Sequence, residues 1–458
     1  LSSVGGQFFF GIQVGDGGLR MENGSIVNGS GGSPGSVYSN GNIVCEHGTC
    51  TITGDAIVAG GLNVDPNVEW TANNTAWLFA STSVSQDIAQ SFTATAGALN
   101  KVSVFLGKIA SPGNLILRLS TDNSGKPSDD NGLASATILS ANVGTNPSWI
   151  DVAFATPPTL IAGTKYWIVL DYDSNSTTNY WNWRRDTTDG YVDNTGKYTG
   201  ACCSGNPTWK NVGGDLAFRV WIGGVNTKID GLTISGTGRT NVFVNTTCGS
   251  GCVVDNPSRA ELPISDGVIQ DWRDEAALGG TINNDYSING SASLGPKKIA
   301  GNLTVNLGND QLLTITGTIW VTGNIVFGTC GNSTLGVKLD SGYGANSGVI
   351  IADGEITVGN GCPFAGSGDP KSFPMVLSTK NALTSAVMTV NNNSTGVIYY
   401  ANHGRIKLSQ NAKAKEVTAY GIEMENNSTV TYESGLSDLN FSSGPGGSFE
   451  ITKWQETQ

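Results

Sequence analysis

The side chains with the clearest chemistry lie in one aromatic stretch. Tyr180, Trp181, Asn182, Trp183, Arg184, Arg185 and Asp186 run consecutively, and Asp189, Tyr191, Tyr198 and Trp209 follow, with Cys202 and Cys203 adjacent between the last two. Indole and phenol faces can stack on the C–H face of a pyranose while Asn, Asp and Arg bond its hydroxyls. Trp181, Trp183, Arg185, Tyr191, Tyr198 and Trp209 are therefore candidate glycan contacts. Cys202 and Cys203, if bonded to each other, would set a rigid apolar knuckle beside these rings. A core reading competes, because Trp181 and Trp183 stand two apart and on one strand would share an inward face.

Other polar groups offer less. Asp171, Asp173 and Asn175, together with Asp122, Asn123, Asp129, Asp130 and Asn131, supply the oxygen ligands that calcium takes at about 2.3–2.6 Å. Asp and Asn loops are also ordinary turn formers, and none here has the spacing or closing Glu of an EF-hand loop. Calcium at Asp171 and Asp173 is thus the one cofactor expectation. Asn402, His403, Gly404, Arg405, Ile406 and Lys407 contain the His-Gly and Arg-Ile-Lys strings of polygalacturonases. In those enzymes the strings lie on separate rungs with clustered aspartates, whereas here they overlap. Glycoside hydrolysis needs two carboxyls set about 5–9 Å apart, and Asp353 and Glu355, sharing one strand face, read as a solvated edge. His47 and His403 have no Gly-x-Ser-x-Gly elbow beside them, and the Gly-rich segments lack a following helix or Lys for nucleotide binding. No catalytic residue is expected, and the chain reads as a non-enzyme.

Composition narrows the partners. The chain has 458 residues with 63 Gly, 14% charged residues and a net charge of −12. No cluster of Lys and Arg is present to neutralise phosphates, which excludes nucleic acid as a partner. Abundant Gly and Asn suit short strands joined by tight turns. The eight cysteines fall into close pairs, Cys45/Cys50, Cys202/Cys203 and Cys248/Cys252, leaving Cys330 and Cys362 for each other. Short closed loops of this kind point to disulfides in an oxidising compartment, although eight cysteines allow about 105 pairings.

The elements that must position these groups come in two textures. Gly54 and Gly60, Gly317 and Gly323, and Gly348 and Gly354 each bracket an apolar strand, and similar strands recur on both flanks of the chain. Such steps suggest a parallel β-solenoid, or β-helix, whose rungs bury Val, Ile and Leu only by stacking. Between the flanks, eight of the eleven tryptophans lie from Trp70 to Trp221, among strands that alternate in and out. That alternation predicts an antiparallel, jelly-roll-like β-sandwich. The expected fold is all-β, with residues 1–63 forming an N-terminal strand and first rungs, 64–224 an inserted sandwich and 225–458 the remaining solenoid. One flanking helix is expected near 265–278, from the Ser265 cap to the Gly279 stop. The start of the chain is apolar but shorter than the about 20 residues that span a bilayer. This segment reads as a plain first strand of the scaffold, as the trailing end of a removed or truncated anchor, or as a strand that docks into a neighbouring subunit; in the last case Phe8, Phe9, Phe10, Ile12 and Val14 are the self-assembly candidates, because an exposed run of this kind needs a cover.

The middle segment also resembles a family. Gln90-Ser91-Phe92, Lys101 to Leu106, Leu117 to Pro127, Leu133 to Ile138, Leu160 to Leu170 and Leu216 to Val220 occur in the order seen in the choice-of-anchor R domain. The resemblance covers about a third of the chain and implies an extracellular β-sandwich of surface proteins, with no catalytic residues. The flanks, through Phe9 to Gly24, Val37 to Ile43, Ile52 to Asp55 and Leu262 to Asp266, look like bacterial pilus-associated, minor-pilin-like proteins. In that group a hydrophobic helix precedes a β-solenoid. The short Gly steps are also similar to bactofilin rungs.

Together these readings predict an extracellular or cell-surface structural and adhesive protein, a pilus-associated or filament-forming subunit. Its expected partners are other copies of itself or pilus subunits, and glycans or a cell surface. The alternative is a carbohydrate-active β-helix enzyme, a pectinase-like hydrolase or lyase, or its carbohydrate-binding module.

Overall fold

The computed structural model describes residues 4–6, 8–60, 65–128, 132–154, 156–192, 194–200, 207–224, 227–328, 330 and 335–445. Almost every element is a strand. The flanking segments form large parallel sheets, and the middle segment forms two antiparallel ones.

One run of parallel pairings connects the flanks. Starting at Val242–Val244, each strand pairs with the next through Lys228–Asp230, Ile43–Cys45, Ile12–Met21 and Glu416–Met424. The run continues through Ile398–Leu408, Pro374–Ser378, Gly348–Ala352, Ile319–Val321 and Lys297–Ile299 to Thr281–Ile282. Chain order and stacking order therefore differ: the strand Ile12–Met21 lies inside the run, between residues from opposite flanks. Register sets like on like, with Leu19 beside both Ile43 and Ile422, and Met21 beside Met424. These side chains share one continuous buried cluster that includes Ile12, Val14, Ile43, Ile229, Ile299, Ile350 and Val376. Each short strand buries too little alone, so the ladder is what makes the core.

Strand Gly348–Ala352 is buried at every position, because both of its faces are covered. Ile350 and Ala352 face the ladder core, while Val349 and Ile351 meet the helix Asp266–Leu278. That helix starts where the Ser265 hydroxyl accepts the Val268 amide and ends at Gly279. Its Val268, Ile269, Trp272 and Ala276 are buried, the first three against Met375, Leu377, Tyr400 and Phe441.

In the middle segment, one antiparallel sheet holds Asp87–Thr93, Leu115–Thr121 and Lys165–Asp171. The other is built around the long strand Gly97–Ile109, which pairs with Ser148–Val152, Tyr180–Arg185 and Phe218–Ile222. Leu115, Leu117 and Leu119 from the first sheet meet Val102, Val104, Leu106 and Val220 from the second in a shared core, the packing of a β-sandwich.

The N-terminal run corrects one expectation. Phe8 is buried against Tyr400 and Phe441, with ring centroids 6.5 Å away in each case, and the Tyr432 hydroxyl donates to the Phe8 carbonyl at 2.6 Å. Ile12 and Val14 sit in the ladder core, and Phe10 packs on Tyr38 at 5.1 Å. The chain itself supplies the cover that a neighbouring copy was expected to give, leaving only Phe9, 58% exposed.

Disulfides join Cys45 to Cys50, Cys248 to Cys252 and Cys330 to Cys362. Cys202 and Cys203 lie outside the described residues. The three bonds suit an oxidising environment. Among the described residues no helix is long and apolar enough to cross a membrane.

Trp272 is the largest side chain by which the helix is seated. Trp272→Ala is expected to cost about 3–5 kcal/mol in a denaturant titration, and a change within 1 kcal/mol would mean the helix is not docked as described.

Candidate functional site at the joint between the sandwich and the parallel sheets

Two rings of the aromatic stretch are taken into the sandwich core. Strand Tyr180–Arg185 turns Trp181 and Trp183 into the sandwich core, where both are fully buried. The Trp183 indole donates to the Ala217 carbonyl at 2.8 Å. As candidate glycan contacts these two are corrected: alternation along the strand gives both rings the inward face. The other four remain partly exposed but are engaged. Arg185 lies over the Trp77 ring at 4.8 Å and donates to the carbonyls of Val212 and Gly213. Tyr198 packs on the same Trp77 at 5.0 Å, and Tyr191 sits between Trp70 at 5.8 Å and Phe218 at 5.5 Å. Trp209 covers the small cluster of Ala89, Trp167 and Val169.

The calcium expectation is corrected at Asp171, which is buried and accepts from Arg118 Nε at 2.7 Å. Asp173 is exposed, and Asp129, Asp130 and Asn131 lie outside the described residues. Among the described residues no group of three or more His, Cys, Asp or Glu is placed to hold a metal ion. Asp353 is held by Arg273 and by the Trp320 indole at 2.9 Å, and Glu355 pairs with Lys380 at 2.7 Å.

A cleft of about 400 Å³ opens instead where the sandwich meets the parallel sheets. Its sandwich wall comes from Gly97–Ile109 and Ser148–Val152. On these strands Val102, Val104, Ile150 and Val152 point into the sandwich core, which leaves Lys101 and Asp151 on the outer face. The opposite wall carries Asp16, Asn40, Arg259, Glu261, Asp266 and His403.

Two devices fix this joint. Arg259, 5% exposed, donates to the carbonyls of Gly60 at 3.0 Å and Asn40 at 3.4 Å and pairs with Asp16. Asn40 in turn bonds Ala260 in both directions, at 2.8 and 3.1 Å. On the helix, Asp271 accepts from the Thr145 amide at 3.1 Å, the Thr145 hydroxyl at 2.7 Å and Asn146 at 3.2 Å, which ties the helix to a sandwich loop.

Inside the cleft, Lys101 Nζ stands 3.0 Å from Asp151 Oδ2 and 3.9 Å from the centroid of the Trp221 ring. Glu261 lines the same cleft as Asp151, and its backbone carbonyl accepts from Gln13. Burial first, then the Asp151 charge, pushes the Glu261 carboxyl up to about 8. Burial would also raise Asp151, but the Lys101 charge outweighs it and the net shift is down. An ammonium, a carboxylate and a carboxyl group held toward its neutral form therefore share one cleft, with the two acids driven apart in proton affinity, the pattern of an acid/base pair. At the mouth His403 Nε2 lies 2.9 Å from Asp266, whose hydrogen bond raises the imidazole above its ordinary value.

Sequence reasoning singled out none of Lys101, Asp151 and Glu261 as site residues. The available signal was slight: two charged residues at outward positions of otherwise apolar alternating strands. Compared with protein-family models, curated proteins and solved structures, the chain matches none.

A raised acid favours the protonated folded state, so its contribution is complete below the ordinary value of 4.5 and is lost as pH rises through about 8. The wild-type chain is expected to lose stability across that window more steeply than Glu261→Gln in thermal unfolding. Parallel pH profiles of the two proteins would contradict the burial of this carboxyl.

Proposed function

We propose that the protein is an extracellular or cell-surface structural and adhesive subunit. In this reading the parallel sheets coil as a β-solenoid and display the jelly-roll-like sandwich toward a glycan or another surface. The observation that carries it is the unbroken parallel ladder from Val242–Val244 to Thr281–Ile282, from which the sandwich projects between Val58 and Lys228. Such a ladder is a rigid, extendable frame, and low charge with disulfides suits service outside the cell.

Association with other copies, as in a filament or a pilus, is supported by the two ends of the ladder. At one end Val242–Val244, Thr247–Cys248 and Cys252–Val254 each pair with a strand on one side only, among the described residues. At the other end the same holds for Thr281–Ile282, Tyr286–Asn289 and Ala292–Leu294. None of these edge strands carries a charge or a proline, the devices that usually discourage edge pairing. Val254 is 71% exposed there.

Electron microscopy of the purified chain is expected to show end-to-end assemblies that Val254→Lys shortens. A monodisperse monomer at every concentration would remove the filament-forming part of the reading. A glycan-array screen run with a reducing-sugar assay tests the adhesive part: binding without product release supports it, and product release favours the carbohydrate-active enzyme.

A further inference from the structure

We propose that Lys101 and Asp151 condense into an intramolecular amide cross-link, formed by the chain itself, with Glu261 relaying the proton between nitrogen and departing oxygen. The reacting atoms are already in place. Lys101 Nζ lies 3.0 Å from Asp151 Oδ2, which sets the amine nitrogen beside the carboxyl group whose Cγ it would attack. Their strands are hydrogen-bonded neighbours, with Val102 opposite Val152 and Ser103 opposite Asp151, so neither side chain has to be recruited from a mobile segment.

An ion pair of Lys and Asp is common, but this one has a third member that a structural pair does not need. Glu261 comes from the opposite wall of the same cleft and keeps Oε1 buried without a hydrogen-bond partner. Holding a neutral acid against an ion pair in this way costs stability, and its free oxygen is what a proton relay requires. The pair is partly withdrawn from water. Lys101 has 11% of its side-chain surface exposed and is covered by the Trp221 ring, while Asp151 keeps 33% open to the cleft, through which a water can leave.

At rest burial pushes the Lys101 ammonium down and Asp151 pushes it up, with a net rise, so the ion pair is the reactant. One proton passes from Nζ to the Asp151 carboxylate, leaving an amine and a carboxylic acid. The Nζ lone pair attacks Cγ, a C–N bond forms, and the carbonyl π pair moves onto oxygen. Glu261 gives its proton to the hydroxyl oxygen, the C–O bond breaks, and water departs as the carbonyl reforms. Glu261 then takes the extra proton from nitrogen. In sum, ammonium and carboxylate become amide and water, no oxidant or cofactor takes part, and Glu261 is restored. Proximity in a desolvated site is what lets condensation compete with the excess of water that prevents it in solution, where effective molarities for oriented groups reach about 10⁵–10⁸ M.

The test is the intact mass of the full chain, reduced and denatured, followed by peptide mapping. The wild type is expected one water lighter than its sequence, with the Lys101 and Asp151 peptides joined. Lys101→Arg, which keeps the ion pair but lacks the primary amine, is expected at its full sequence mass. Glu261→Gln is expected to fold, by circular dichroism, and to leave the two peptides separate. A wild type at full sequence mass with separate peptides overturns the proposal, and that result does not depend on any variant folding. A Glu261→Gln chain that cross-links as completely as the wild type overturns the relay.

Discussion

Strand Ile12–Met21 is hydrogen-bonded to Ile43–Cys45 on one side and to Glu416–Met424 on the other, and this double pairing holds the two flanks of the chain in one ladder. Toward one end the chain builds outward from it, through residues 43–58 and then 228–254. Toward the other it is met by strands that start at residue 281 and return. A strand of this kind, paired on both edges and buried on its inner face, is the opposite of an exposed edge. Removing it would leave Ile43 and Ile422 without the apolar neighbour that both share, Leu19.

The geometry of the cleft follows from this double pairing. The sandwich leaves the ladder after Val58 and rejoins it at Lys228, so both of its attachments fall near the strand that joins the flanks. The segment holding Arg259 and Glu261 then runs along the joint before the helix begins at Asp266. Arg259 grips Asp16, Asn40 and Gly60, all from the first rungs, and so presses Glu261 toward the sandwich. A buried acid, an ammonium and a carboxylate come from three separate stretches of sequence, which the pairing of the two flanks brings to one cleft.

Much of the local structure was legible. Gly54 and Gly60 bracket Ala56–Val58, Gly317 and Gly323 bracket Ile319–Val321, and the Ser265 and Gly279 signals mark the helix. These are local matters of turn chemistry, capping and alternation. The order of strands in the ladder was not legible, because parallel pairing joins Ile12 to Val417 and an apolar strand carries no mark of its partner. Two of the six candidate glycan contacts were put on the wrong face for a similar reason. Aromatic composition located Trp181 and Trp183 but could not say whether their shared face was the wet or the dry one, and the core took both. Lys101 and Asp151 stood in plain sight within apolar strands, yet their importance depends on Glu261, whose place in the same cleft is set by tertiary packing alone.

The double pairing of Ile12–Met21 is most directly tested by hydrogen exchange on the intact chain. Amides of Ile12–Met21 are expected to be protected as long as those of Glu416–Met424, both exchanging through the same cooperative opening. Exchange of Ile12–Met21 at the rate of the exposed loops, with Glu416–Met424 still protected, would contradict a ladder in which this strand joins the two flanks.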